Sequence, residues 1–151
     1  MFGVDRLWQP SVKDYSSGLY AQRWIYTSTV TASTAVVGSN VNDALAIVPA
    51  DKVRLILGLS IQFVTQGTEL VLALTGLLYP AGGGIALATW ALARDFPLVA
   101  TATTVSGISP IDAMAFPGET VQMQATKSGA ASLATLTATF WGIEVPRGNI
   151  Q

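Results

Sequence analysis

The 151-residue chain contains no histidine and no cysteine. Their absence removes Ser-His-Asp and Cys-His nucleophiles, the commonest general base and the usual zinc ligand sets. Disulfides and thiolate chemistry are likewise out of reach, and the sequence is silent on redox compartment. Acid–base work would fall to carboxylates such as Asp95, Asp112, Glu119 and Glu144. A glycosidase-type pair needs two carboxyls at a set separation across a bond. These four sit beside prolines, turns and the last expected strand, in no recognisable spacing, and read as solvated turn and edge charges. Asn40, Asn42 and Asp43 offer oxygen ligands, yet a calcium loop requires several carboxylates and a closing bidentate Glu, so they read as a turn. Gly82, Gly83 and Gly84 are not followed by the Gly-Lys-Ser/Thr of a phosphate loop and open no expected helix. The expectation is therefore a non-enzymatic chain with no catalytic, metal or cofactor site. Trp24, Trp90 and Trp141 remain. On one sheet face they would make a sugar-stacking platform, whereas tryptophan in a sandwich is more often core or interface.

Composition narrows the class further. Apolar residues make up 50% of the chain and charged residues 11%, against about a quarter charged in an average domain. A monomer would carry an unusually bare surface, so a homo-oligomer is expected. Eight basic and nine acidic residues give a net charge of −1, which supplies no electrostatic footprint for nucleic acid or anionic lipid. Residues 70–93 carry no charge and are long enough to span a bilayer, but Pro80 and the three glycines cut them into halves too short to cross as helices. No Lys/Arg cluster flanks them, and a membrane partner is not expected. The N-terminus lacks a basic region followed by an apolar one, which points to synthesis in the cytoplasm.

One stretch would organise the fold. In 52–64 (KVRLILGLSIQFV) Val53, Leu55, Leu57, Leu59, Ile61 and Phe63 share one parity, so an extended strand would aim all six at a single core. Arg54, Ser60 and Gln62 fall on the other, half-wet face. Period-2 runs also mark strands at 20–30, 119–126 (Val121, Met123 and Ala125 inward) and 132–145, with shorter strands at 35–38, 44–48, 69–78, 85–93 and 98–105. The segment 106–118 (SGISPIDAMAFPG) reads as a long connection because of its prolines and glycines, and YPAGGG at 79–84 as a loop. About eight strands with frequent turns predict an all-β, antiparallel sandwich or jelly roll spanning 20–151. Residues 1–19 show no strand period and form an expected N-terminal arm. Its Phe2, Trp8, Pro10 and Tyr15 are candidate interface anchors.

From Phe116 onward the chain reads FPGETVQMQAT, a KSGAAS turn, then LATLTATFWGIEVPRGNI. The Pro117-Gly118-Glu119 strand opening, the Thr/Ala-rich final strand and the Gly142-to-Asn149 ending (GIEVPRGN) resemble the C-terminal half of small jelly-roll virion proteins of tailed bacteriophages, capsid decoration (cement) proteins in particular. The match covers about a quarter of the chain. The resemblance implies a protein that oligomerises on the outer surface of a phage head and braces the shell of major capsid protein. Two other classes stay open: a sandwich module that recognises a host glycan at a tail or fibre tip, and a membrane-associated protein.

Overall fold

The computed structural model describes residues 21–67, 69–92 and 104–147. The arm with Phe2, Trp8, Pro10 and Tyr15 lies outside the described residues, as does most of the strand expected at 98–105. Among the described residues there are eight strands: β1 Gln22–Ala32, β2 Val36–Gly38, β3 Lys52–Thr65, β4 Val71–Tyr79, β5 Ala88–Ala91, β6 Thr104–Ala115, β7 Thr120–Lys127 and β8 Ala134–Pro146. They form two four-stranded sheets in the orders β1-β8-β3-β6 and β2-β7-β4-β5. Every pairing is antiparallel. The pairs β1·β8, β2·β7, β3·β6 and β4·β5 are those of one long hairpin ribbon folded at its middle. The contacts β8·β3 and β7·β4 appear where that ribbon coils on itself. This is the jelly roll expected from the strand count, and no α-helix occurs among the described residues.

The core lies between the sheets. Tyr26, Leu136, Phe140, Leu59, Ile61 and Phe63 from one sheet meet Leu74, Val121, Met123 and Ala125 from the other. The inward set on β7 is the one its period-2 pattern predicts, because β7 runs without interruption between β2 and β4. Room for the largest side chains comes from Gly76 of β4. A Cβ there would stand 2.5 Å from Leu59 Cδ2 and 3.1 Å from Phe140 Cζ.

The central strand departs from expectation in its first half. The register of β3 with both β6 and β8 shifts between Ile56 and Gly58: against β8 Leu57 is the extra residue of a bulge, against β6 the extra residue lies on β6 between Pro110 and Ala113, and the inward parity of β3 inverts there. Leu59, Ile61 and Phe63 point into the core, but upstream it is Arg54 and Ile56 that do so. Leu57 lies 38% exposed, which corrects its assignment to the core. Leu55, paired with Ile143, is half-buried. Val53 is buried but stands apart from the inter-sheet cluster.

Three further expectations are corrected. Residues 106–115, read as a connection, belong to strand β6. Among the described residues this strand pairs only with β3, and an edge strand tolerates Pro110 because one side of its backbone has no described ladder to complete. Residues 44–48 are turns with a single bridge, Ile47 to Thr120. The strand expected over 85–93 contracts to Ala88–Ala91.

Candidate interaction surfaces

Lys52, Arg54 and Glu144 form one charged cluster in the sandwich, and Glu69 and Lys127 another. Arg54 is 1% exposed and its guanidinium faces Trp24, 3.8 Å from the ring centroid. Its Nε and Nη2 donate to Glu144 Oε1 at 3.1 and 2.6 Å. Nη1 donates to the Ala46 carbonyl at 2.8 Å, and Nη2 also donates to that of Ile47 at 3.1 Å. Lys52 closes the other carboxylate oxygen of Glu144 at 3.3 Å. Burial pulls the Arg54 guanidinium below its ordinary pKa, and Glu144 works against that shift. The cluster ties the β2–β3 connection down onto β3 and β8, and Trp24 extends the tie by donating from Nε1 to the Leu45 carbonyl at 3.0 Å.

At the opposite end of the sandwich Lys127 does the same for two turns. Its Nζ donates to Glu69 Oε1 at 3.1 Å and to the carbonyls of Gly129 and Ser132, both at 2.8 Å. All three ammonium protons are thereby used. Glu69 Oε1 also accepts from the Ser132 backbone N–H at 2.9 Å. That backbone hydrogen bond, with the nearby ammonium, holds the Glu69 carboxyl below the usual carboxylate range against the opposing effect of burial. Glu69 Oε2 and the Ser132 hydroxyl are buried without a partner among the described residues.

The remaining polar candidates do not converge. Asn40 Oδ1 accepts from the Asn42 N–H and Asp43 Oδ1 from that of Leu45, both at 2.9 Å, which are Asx turns. Glu119 accepts from the Phe116 N–H at 2.8 Å and closes a turn. Asp112 is exposed on β6, Glu144 belongs to the Arg54 cluster, and Asp95 lies outside the described residues. No group of three or more acidic side chains that could hold a metal occurs among the described residues. No described helix is long and apolar enough to cross a membrane. Gly82, Gly83 and Gly84 all take positive φ and line an open cleft of about 560 Å³ with Tyr79, Asn42 and Gln122. The three tryptophans share no face. Trp24 stacks inward on Phe140 with centroids 6.3 Å apart, Trp90 meets the same ring edge-on at 6.1 Å, and Trp141 points outward from β8.

The outer face of the β1-β8-β3-β6 sheet is divided. One half is a hydroxyl ladder in which Thr27, Thr29 and Thr31 face Thr139, Thr137 and Thr135 across β1 and β8 at 2.9, 3.4 and 3.0 Å. The other half is mainly apolar, with exposed Arg23 and Asp112 at its edges: Ile25 sits opposite Trp141, Leu55 between Ile143 and Met114, and Leu57 on the bulge. Ile25 and Met114 are 42% and 48% exposed. Trp141 lies flat over Gly58, where a Cβ would stand 2.0 Å from the indole. A depression of about 380 Å³ bounded by Ala21, Arg23, Leu57, Trp141 and Ile143 occupies this half. Sequence reasoning missed this surface, although a lone glycine inside a strand is the usual mark of a bulge or a close approach.

No protein-family model matches the chain, and no curated protein matches it. Among solved structures the chain resembles one in infectious bursal disease virus strain Gx, with a TM-score of 0.50 and 17% identity over 87% of this chain and 33% of that one. It also matches a chain of the T13 particle of infectious bursal disease virus, with a TM-score of 0.48 and 16% identity over 85% and 32% of the two chains. This chain spans about a third of the length of those it matches. The likeness establishes the fold, a jelly roll of a kind found in virus particles.

Proposed function

We propose that the chain is a non-enzymatic structural subunit of a virion. The observation that carries this reading is the strand order of the two sheets, in a fold that aligns over 87% of the chain with a protein of a virus particle. The economy of charge supports it, because the three ion pairs of the described residues are spent holding the ends of the sandwich shut. The finer reading is a bacteriophage capsid decoration (cement) protein, a homo-oligomer made in the host cytoplasm and bound to the outer surface of the major capsid protein shell. Residues 1–19 supply affinity for neighbours through Phe2, Trp8 and Tyr15, with Pro10 limiting the freedom lost on docking.

A quantitative mass-spectrometric census of purified particles tests this. A shell-bracing subunit should be present in a copy number comparable to that of the major capsid protein. A copy number of a few per particle would place it at a tail or fibre tip and favour the glycan-recognition reading, and absence from particles would defeat the virion reading altogether.

A further inference from the structure

We infer that the apolar half of the β1-β8-β3-β6 face is the seat for the N-terminal arm of a second copy of this chain. The inference rests on the reading of the chain as a self-assembling subunit, and it names the surface through which assembly occurs. Ile25, Leu55, Leu57, Met114, Trp141 and Ile143 form the seat. Within one chain Ile25, Leu57 and Met114 remain 42%, 38% and 48% exposed, so the face is open to a second copy. An extended segment can lay aromatic side chains into the depression beside Trp141 while its backbone crosses the exposed leucine and methionine.

The place where the described chain begins argues for the arm as occupant. Ala21 is itself on the rim of the depression, so the twenty residues that precede it issue from the border of this surface. They include Phe2, Leu7, Trp8, Val12, Tyr15 and Leu19 against only Asp5, Arg6, Lys13 and Asp14 as charges. Extended chain between Ala21 and Trp8 spans up to about 45 Å, enough to carry the tryptophan from the rim of one copy onto the face of its neighbour. The hydroxyl half of the same face sets the limit of the seat, since its three Thr pairs present polar groups in place of an apolar surface.

The test uses the full chain with a benzophenone amino acid in place of Trp8, prepared as a mixture of isotopically heavy and light protein, irradiated and mapped by mass spectrometry. Heavy-to-light cross-links to the peptides bearing Leu57 or Trp141 are expected. Leu57→Glu, at a position exposed enough to leave the fold intact, should lower their yield about tenfold or more. Cross-links confined to one copy, cross-links to other surfaces, no cross-links, or a yield unmoved by Leu57→Glu would overturn the inference. A protein abundant in particles whose cross-links fall elsewhere would lose this seat and keep its virion role. One that cross-links as expected but is absent from particles would keep the seat and lose that role.

Discussion

The two ends of the sandwich are each closed by one buried cation, and they are closed differently. Arg54 reaches across three segments with a planar fork, so one side chain satisfies two carbonyls of the β2–β3 connection and a carboxylate oxygen on β8 while stacking on Trp24. Lys127 is a point charge whose three donors are filled by two turn carbonyls and Glu69, leaving one carboxylate oxygen and one serine hydroxyl over. The difference follows from what has to be tied. A long connection that must lie flat against a sheet needs donors in several directions, which guanidinium supplies; two short turns meeting at a corner need one charge between them.

Removing the cations should have the largest effects and test whether both ends matter equally. Arg54→Met leaves Glu144 and two loop carbonyls short of their donor, and Lys127→Met strands Glu69 and two turn carbonyls. Breaking one partner out of a buried pair costs about 3–5 kcal/mol, to be read as a drop in denaturant midpoint at constant slope. The ends separate on exchange. Arg54→Lys should recover little, because an ammonium cannot serve Ala46, Ile47 and Glu144 while stacking on Trp24, whereas Glu69→Asp should recover part of the Lys127 end. Equal recovery at both would show that charge alone, and not its shape, closes the sandwich.

The next effect separates the halves of β3. Leu59→Ala, beside Gly76 and Phe140 in the core, should cost about 2–5 kcal/mol. Leu57→Ala on the exposed bulge should cost less than about 1 kcal/mol. Equal losses in urea titration would mean that the strand keeps a single parity throughout and that the bulge is absent.

That contrast also marks how far the sequence could be read. Strands β7 and β8 were legible because their alternation is unbroken and short turns bound them. The first half of β3 was not, since a period-2 count assumes every residue advances the pleat, and the residue at Leu57 does not. Gly58 and Gly142 carried the signal: a Cβ on the first would strike Trp141, and one on the second would stand 2.0 Å from the Leu55 carbonyl. Strand β6 was hidden by Pro110, a breaker only where both strand edges are paired. Arg54 and Glu144 are 90 residues apart, and Lys127 and Glu69 are 58 apart. No local pattern joins such pairs, so Arg54 reads as a wet-face residue until the topology is known. The tryptophans could be assigned to a core or a surface only once each strand's parity was fixed.

A smaller effect distinguishes the ends by pH. The folded Glu69 carboxyl is held below its unfolded value, so its contribution is complete above the unfolded carboxylate range and disappears as pH falls through the lowered folded value. Stability measured from neutral pH downward should therefore decline through the acid range, and Glu69→Gln should flatten that decline. An unchanged acid slope in Glu69→Gln would show that the Lys127 end gains nothing from the ionised carboxylate.

The smallest expected effect compares two buried serines. At the Arg54 end the Ser39 hydroxyl accepts from the Met123 N–H at 3.0 Å, so Ser39→Ala leaves a buried donor unpaired and should cost about 1–3 kcal/mol. At the Lys127 end the Ser132 hydroxyl is buried without a partner among the described residues, while the backbone N–H and carbonyl of the same residue hold Glu69 and Lys127. Ser132→Ala removes only the hydroxyl and keeps both backbone contacts, so it should be neutral or stabilising by up to about 1 kcal/mol. The methyl that remains fits, because the serine Cβ already occupies that position against Gly67. A loss at Ser132 matching that at Ser39 would mean that its hydroxyl is paired in solution, and that the corner around Glu69 is as fully satisfied as the one around Arg54.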